Sequence, residues 1–121
     1  MKIQVVNIEA KFNKIHEYWD PKIVGALNGQ HVKIARIKGE FDRHKHEAED
    51  EMFLVIEGKL HMQLDDRSFD INPGEFIVIP KNTYHRPIAK EEVKIMLFEP
   101  ESTLNTGNII SDKTKNHIES I

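Results

Sequence analysis

The chain has 121 residues, and 17 lysines and arginines against 20 aspartates and glutamates give a formal net charge of −3. This length suits one domain with its own core, and a slightly acidic chain without a basic patch argues against nucleic acid as a partner. The sequence contains no cysteine, so any metal ion must be bound by nitrogen and oxygen ligands. The N terminus lacks an apolar signal core and no stretch has the length of a membrane span, which predicts a cytoplasmic protein without a membrane partner.

The first residues predict a strand followed by a short helix. Residues 3–7 have the composition of a short strand. Ile8, Phe12 and Ile15 would lie on one face of a helix that Asn7 caps.

The next segment predicts a β-hairpin. Asn28-Gly29 separates two apolar runs, residues 22–27 and 30–38, and this dipeptide favours the tight turn of a two-residue hairpin loop. Two antiparallel strands are therefore expected here.

Short apolar runs continue along the chain, separated by glycine, proline, asparagine and aspartate. We expect eight or nine strands in total and almost no helix, which is typical of an all-β sandwich or barrel. Some runs, such as 53–56 and 76–79, are apolar on both faces, so either a second sheet and the N-terminal segment or a partner subunit covers the outer face. Of the two, we favour a homodimer. The runs after the hairpin are 52–56, 60–64, 69–71, 75–79, 85–88 and 93–98.

One stretch, residues 39–58, carries residues that suggest chemistry. His44 and His46 are two residues apart, so their rings point to the same side of an extended chain, and Glu51 can join them if the residues between loop out. A metal site would explain the three together, although a solvated, highly charged loop would give the same pattern. His85, beyond the turn at 72–74, begins a run that could lie beside the first two histidines and supply a fourth ligand.

The two segments together resemble the paired motifs of the cupin family. The pattern is G-x4-H-x-H-x4-E-x6-G over residues 39–58 and G-x5-P-x4-H over residues 74–85. The resemblance implies a double-stranded β-helix, the cupin jelly-roll barrel, and one divalent metal ion bound by His44, His46, Glu51 and His85.

Within that resemblance, residues 1–30 would form the N-terminal strand, the short helix and the first hairpin arm. Residues 31–100 would form the barrel core, and residues 101–121 a C-terminal extension that either frays or packs across one end of the barrel. Asn82 stands where the second motif commonly has glycine, and asparagine is the best non-glycine residue at a left-handed turn position.

Three imidazoles and a carboxylate suit Mn²⁺, Fe²⁺, Ni²⁺, Zn²⁺ or Cu²⁺, and the sequence does not select among these ions. Four protein ligands on a six-coordinate ion leave positions for a substrate. Glu51 is the catalytic candidate, because a carboxylate can turn from ligand to general base more easily than an imidazole held by hydrogen bonds. Residues expected to line the pocket are Phe53, Val55, Gln63, Phe76, Val78, Tyr84, Met96 and Phe98, with His61 as a further polar candidate.

The cupin family includes enzymes of several classes and proteins that only bind ligands, so the resemblance does not imply one reaction. The first hypothesis is a small metalloenzyme, similar to mannose-6-phosphate isomerase-like cupins, that binds and polarises a small oxygenated, sugar-like substrate. The second is an iron- or copper-dependent dioxygenase on the same four ligands. The third is a non-catalytic ligand-binding or sensing protein.

Overall fold

The computed structural model describes residues 2–121, in which seven strands form one antiparallel sheet and a single short helix precedes them. The all-β prediction with a short N-terminal helix is confirmed. The elements are α1 (Ile8–Phe12), β1 (Lys22–Leu27), β2 (Gln30–Glu40), β3 (Glu51–Glu57), β4 (Leu60–Leu64), β5 (Ser68–Ile71), β6 (Phe76–Ile79) and β7 (His85–Pro100).

The N-terminal segment forms the helix but not the strand. Residues 3–7 have no strand partner within residues 2–121, and Ile3 and Val5 are 97% and 99% exposed, so the predicted strand is wrong. Ile3 and Val5 have no strand to pair with, whereas Val6 packs against the apolar cluster that contains Phe12. The helix forms as expected, because the Asn7 side chain accepts a hydrogen bond from the Ala10 amide and Phe12 is buried.

The hairpin is confirmed, and its turn has the geometry that its sequence favours. Asn28 and Gly29 have φ angles of 51° and 74°, so both central residues are in the left-handed region of a type I′ turn. β1 and β2 pair from Leu27 and Gln30 outward to Lys22 and Ile34.

β7 is the central strand of the sheet and pairs with β2, β3 and β4. It spans 16 residues and joins two runs that the sequence suggested as separate strands. Between Ala89 and Val93 the pairing with β2 shifts register, so residues 90–92 bulge from the ladder instead of ending the strand. The bend directs the first half of β7 toward β4 and the second half toward β3.

Two apolar clusters lie on opposite faces of β2 and β7. The larger one fills the interior and includes Val55, Leu60 and Met62, each fully buried. The smaller one lies under the helix and combines Phe12 with Ile34 of β2. The candidate metal ligands His44, His46, Glu51 and His85 lie at one end of the interior cluster.

The C-terminal segment, residues 101–121, packs against the barrel. The Asn108 amide donates to the Lys45 carbonyl over 2.9 Å, and the Ile121 amide donates to the Ile23 carbonyl over 3.0 Å. The first contact holds the segment beside the histidine-rich loop. Among residues 2–121, the structure has no helix with the length and apolar character needed to cross a membrane.

Candidate metal centre

The fold brings His44, His46, Glu51 and His85 together from three parts of the chain. His44 and His46 follow the end of β2, Glu51 begins β3, and His85 begins β7. The backbones of His44 and His85 pair directly, with amide-to-carbonyl distances of 3.0 and 2.8 Å. The expectation that His85 lies beside the first two histidines is therefore confirmed.

The four side chains form one compact, buried group. One candidate ligand atom from each residue lies within 4.8 Å of the others, and every one of the four residues is at most 4% exposed. Burying four polar side chains at one point is costly unless they bind a common partner or one another. The group could hold a metal ion.

Backbone carbonyls fix the orientation of two of the rings. The Nδ1 atom of His44 lies 2.7 Å from the Asp42 carbonyl oxygen, and Nδ1 of His85 lies 2.9 Å from that of Thr83. Because a carbonyl oxygen can only accept, Nδ1 carries the hydrogen in each ring, and the lone pair of the neutral ring is on Nε2. This is the arrangement that metal-binding histidines use.

Glu51 lies between the imidazoles of His46 and His85. Its Oε1 atom is 3.1 Å from Nε2 of His85 and 3.4 Å from Nε2 of His46. Both ring nitrogens of His46 are buried without a hydrogen-bond partner within residues 2–121. A set of three imidazole nitrogens and a carboxylate with unused lone pairs fits a divalent transition metal ion.

Burial and neighbouring charges shift the pKa values of this region. Burial, together with the neighbouring His85, lowers the pKa of His44 to about 4, so this ring stays neutral near pH 7. Burial alone would raise the pKa of Glu51, but its interactions with Glu99, His46 and His85 hold it well below its usual range. Glu51 is therefore ionised, as a metal ligand must be.

The loop between β6 and β7 is held against the histidine loop. The Asn82 amide donates to the His46 carbonyl over 2.7 Å, and the Lys81 amide donates to the Asp50 side chain over 2.8 Å. Asn82 has a φ of 66°, so the left-handed turn expected at this position is confirmed. These contacts connect the two motif segments directly beside the candidate ligands.

A mostly apolar cavity adjoins His44 and Glu51. Its walls include the aromatic rings of Trp19, Phe41 and Phe53. Aliphatic side chains from β2 and β7 complete these walls, and they are Ala35, Ile37, Ile95 and Leu97.

Of the residues expected to line the pocket, the structure places Phe53 in the cavity wall and the others elsewhere. Val55 is buried deeper in the core, and Gln63 is exposed. Tyr84 is half-buried under the Arg43 guanidinium, whose carbon lies 3.9 Å from the ring centre.

The expectation that side chains of β6 and of the end of β7 line the pocket is corrected by the structure, because these side chains point to the other face of the sheet. Successive side chains of a strand point to opposite faces, and the odd-numbered residues of β7 are the buried ones. Met96 therefore packs in the cluster under the helix, and Phe98 faces the same side. Phe76 and Val78 are 62% and 50% exposed on the outer face of β6, and His61 lies at the surface beside Asp70.

Two buried polar residues of this region, Glu99 and Lys33, were not predicted from the sequence. Glu99 lines the cavity and accepts a hydrogen bond from Lys33 over 2.9 Å, and both side chains are buried. Burial and the charge of Glu51 raise the pKa of Glu99 well above its usual range, although no hydrogen bond joins the two carboxyl groups. Counting along β7 in steps of two from His85 would have placed Glu99 inside.

Comparison with known proteins agrees with the fold and the site. The family profile described as Cupin domain matches residues 31–99, more than half of the chain. The chain is 32% identical over 81 residues to the uncharacterized protein YdbB of Bacillus subtilis, which covers 66% of this chain and 72% of that protein. Over 61 residues it is 34% identical to quercetin 2,3-dioxygenase of Bacillus subtilis, which is 48% of this chain but 18% of that enzyme.

A solved structure shows the same architecture. The cupin-2 domain containing protein from Shewanella frigidimarina superposes with a TM-score of 0.79 at 39% sequence identity, covering 80% of this chain and 95% of that chain. With the profile match across β2 to β7, this likeness confirms the jelly-roll barrel that the motifs implied. The chain belongs to the cupin family.

Proposed function

We propose that the chain is a small metalloenzyme whose His44, His46, Glu51 and His85 side chains hold one divalent transition metal ion. The ion would be Mn²⁺, Fe²⁺, Ni²⁺, Zn²⁺ or Cu²⁺, and its substrate a small oxygenated compound. When bound, such an ion supplies a positive charge that polarises a substrate oxygen. The donor set and its burial support this proposal.

The observation that carries the proposal is the contact between Glu51 and His85. Their Oε1 and Nε2 atoms are 3.1 Å apart, and the hydrogen of the neutral His85 ring is already on Nδ1, where it faces the Thr83 carbonyl. Two lone pairs at this distance repel each other unless a proton or a metal ion lies between them. The unpartnered nitrogens of His46 favour the metal ion, because a single proton on His85 would leave them unused.

The side chains around the site have distinct roles in this mechanism. His44 and His85 are fixed by their Nδ1 hydrogen bonds, so their orientation does not change during a reaction. Glu51 has no backbone hydrogen bond to its carboxylate and is the group that can turn toward a substrate and take a proton. The aromatic and aliphatic walls exclude water from the reacting atoms.

Elemental analysis of protein purified without a histidine tag or chelator tests the metal proposal. We expect about one transition metal ion per chain. Protein that contains no metal, and takes up none when Mn²⁺, Fe²⁺ or Zn²⁺ is added, would rule the proposal out.

Substitution of the catalytic candidate separates metal binding from turnover. In Glu51→Gln we expect part of the metal to remain, because three histidines are left, while turnover falls by about 10²- to 10⁴-fold with the loss of the base. Steady-state kinetics and metal content are measured on the same preparation. Full activity in this variant would show that Glu51 is not the base.

A dioxygenase is a second candidate, and two observations favour it. The cavity walls are mostly apolar, and the chain shares 34% identity over 61 residues with quercetin 2,3-dioxygenase. Oxygen uptake with small diols and hydroxyketones as substrates would distinguish the candidates. A protein that is active with zinc and consumes no oxygen excludes the dioxygenase, because zinc has no redox chemistry.

We also propose that the chain forms a homodimer through β6. This strand pairs on one side with β3 and has no strand partner on its other side among residues 2–121. Phe76 and Val78 are exposed on it. They line a surface groove together with Phe69 of β5, which is also exposed. An exposed apolar edge strand associates unless it is covered, and a second copy is the commonest cover. The cytoplasmic location stays a prediction.

A further inference from the structure

The cavity beside the candidate metal centre contains a second carboxyl group that the proposed metal site does not use. Glu99 belongs to β7, where its side chain follows Ile95 and Leu97 on the inner face, and the residue is 2% exposed. Met52 of β3 pairs with Phe98 of β7 in an antiparallel ladder. Glu51 and Glu99 are therefore neighbours across the two strands, and both face the same end of the cavity. A ligand at Glu51 therefore lies within reach of Glu99.

One of the two oxygen atoms of the Glu99 carboxyl group already has a hydrogen-bond partner within the chain. Its Oε1 atom accepts a hydrogen bond from Lys33 over 2.9 Å, and the Lys33 side chain is 3% exposed. The Oε2 atom is buried and has no hydrogen-bond partner within residues 2–121. A buried carboxyl oxygen without a partner costs stability, and this points to a partner from outside the chain.

Apart from the metal group and Glu99, the polar side chains that line the cavity are Trp19 and Asn105, and both have their partners within the chain. Asn105 donates to the Lys113 carbonyl over 2.8 Å and accepts from the Lys115 amide over 2.9 Å. The Trp19 ring nitrogen donates to the Lys38 carbonyl over 2.8 Å. Beyond the candidate metal ligands, Glu99 is thus the polar group that remains for a ligand.

The wall chemistry restricts the kind of ligand. Among the described residues, the lining includes no lysine or arginine, and the Lys33 ammonium group is already bound to Glu99. A phosphate or carboxylate would find no cationic side chain in the lining, and a sugar would leave most of its hydroxyls against apolar walls. A hydroxyl group suits Glu99 in either protonation state, because a hydroxyl both donates and accepts.

We propose that Glu99, held by Lys33, is a substrate-binding residue that makes a hydrogen bond through Oε2 to a hydroxyl group of the substrate. The substrate is a small, uncharged, mostly apolar hydroxy compound with a second oxygen that reaches the group formed by His44 and Glu51. This inference rests on the proposed function, because it takes that group to be the metal site.

Binding of three small probes to the zinc-loaded protein tests this inference. The probes are acetoin, which has neighbouring hydroxyl and carbonyl groups, butane-2,3-dione, which has the same skeleton without a hydroxyl, and dihydroxyacetone phosphate, which is anionic. We expect acetoin to bind about tenfold more tightly than butane-2,3-dione, the effect of one hydrogen bond to a buried carboxyl group, and more tightly than the phosphate. Dissociation constants are measured by NMR titration.

A double variant removes the hydrogen-bonding groups and preserves the packing. Lys33→Met/Glu99→Leu replaces the buried ion pair by apolar side chains of similar size, an exchange that often leaves stability unchanged or raised. We expect the preference for acetoin over butane-2,3-dione to disappear while the zinc content is unchanged. Glu99→Gln, which still offers an amide to a hydroxyl, should keep part of the preference. The matched control is Lys94→Met/Glu57→Leu, which removes an ion pair of 3.2 Å on the outer face. This control variant should keep the full preference for acetoin.

The outcomes separate this inference from the proposed function. Wild-type protein that binds zinc but does not bind acetoin, or binds it no better than butane-2,3-dione, would overturn the role of Glu99 alone. The same conclusion follows if the double variant keeps the preference or if the phosphate binds more tightly. Wild-type protein that takes up no zinc would overturn the proposed function, and with it this inference.

Discussion

His85 and His61 show how position decides what a histidine does in this chain. His61 lies on the surface, 2.8 Å from Asp70, with 41% of its side chain exposed. His85 has the same contact type to Glu51, but neither side chain is more than 5% exposed. In water the first pair is worth little, whereas the second pair is removed from water and needs a proton or a metal ion between its atoms.

His44 makes the stability of the metal-free protein depend on pH. Its folded pKa is about 4, below the value of 6.5 for an unperturbed histidine. The unfolded chain therefore binds a proton that the folded chain does not bind, and stability falls as the pH is lowered from 6.5 toward 4. We expect this residue to account for a loss of about 3 kcal/mol across that window.

Urea denaturation at several pH values isolates the contribution of His44. The metal-free wild type and His44→Asn are compared between pH 6.5 and pH 4.5. Both proteins contain Glu51 and Glu99, so the contribution of these two residues to the pH dependence is common to both. The stability of the variant should fall less steeply as the pH is lowered. Equal slopes for the two proteins would mean that the folded His44 takes up its proton as readily as the unfolded one.

At the level of the single residue, the sequence predicted the four candidate ligands but not their partner in the cavity. Histidine and glutamate at this spacing suggest a metal site, and the resemblance to the cupin motifs implied all four residues as its ligands. Glu99 gave no such signal, because one glutamate at the end of an apolar strand is usually a solvated residue. Its burial arises from the pairing of β7 with β3, which the sequence does not state.

The strands themselves show where pattern reasoning succeeds and where it fails. Turn residues located the hairpin at Asn28-Gly29, but the run from Val93 to Phe98 is apolar at nearly every position, so alternation alone could not say which face is inside. Both faces of β7 are covered, one by the interior cluster and one by the cluster under α1. The position of His85 on the same strand fixes the parity, and odd-numbered residues point inward.

The C-terminal extension was the least predictable element, because its residues are polar and it forms no helix or long strand. Its contacts depend on Gly107, where a Cβ atom would overlap the Lys45 carbonyl oxygen and lie 3.0 Å from the His44 ring. The close approach, together with a φ of 58°, requires glycine at this position.

Gly107→Ala should therefore lift the extension from the histidine loop. We expect a loss of more than about 2 kcal/mol in unfolding free energy, since backbone overlap adds to the strain of a left-handed residue. Gly74→Ala is the control, because Gly74 has a φ of 84° but nothing within 4 Å of its Cβ position. It should lose about 1 kcal/mol, the conformational strain alone. Equal losses in thermal or urea denaturation would show that the extension does not pack tightly at Gly107.

For the whole molecule, the motif pair and the turn spacing were enough to predict a jelly-roll barrel. The same apolar patterns suggested a second copy, and the proposed interface is β6, on which Phe76 and Val78 are exposed. Because burial of these side chains would be a main source of dimer stability, a charge at Phe76 should separate the subunits.

Sedimentation velocity on Phe76→Glu measures this effect. The wild type should sediment as a dimer and the variant as a monomer. Ile110→Glu is the matched control, because Ile110 is 78% exposed but lies outside β6, and it should remain dimeric. A wild type that is monomeric at all concentrations, or a Phe76→Glu dimer, would contradict the proposed interface.

The central claim is that the barrel brings two distant histidine segments and Glu51 together, and that these side chains bind one metal ion. The most direct measurement is the zinc affinity of metal-free His85→Ala, compared with His61→Ala, which removes a surface histidine from the neighbouring strand. We predict that His85→Ala weakens zinc binding by at least about 100-fold while His61→Ala leaves it unchanged. Wild-type affinity in His85→Ala would contradict the assignment of the site.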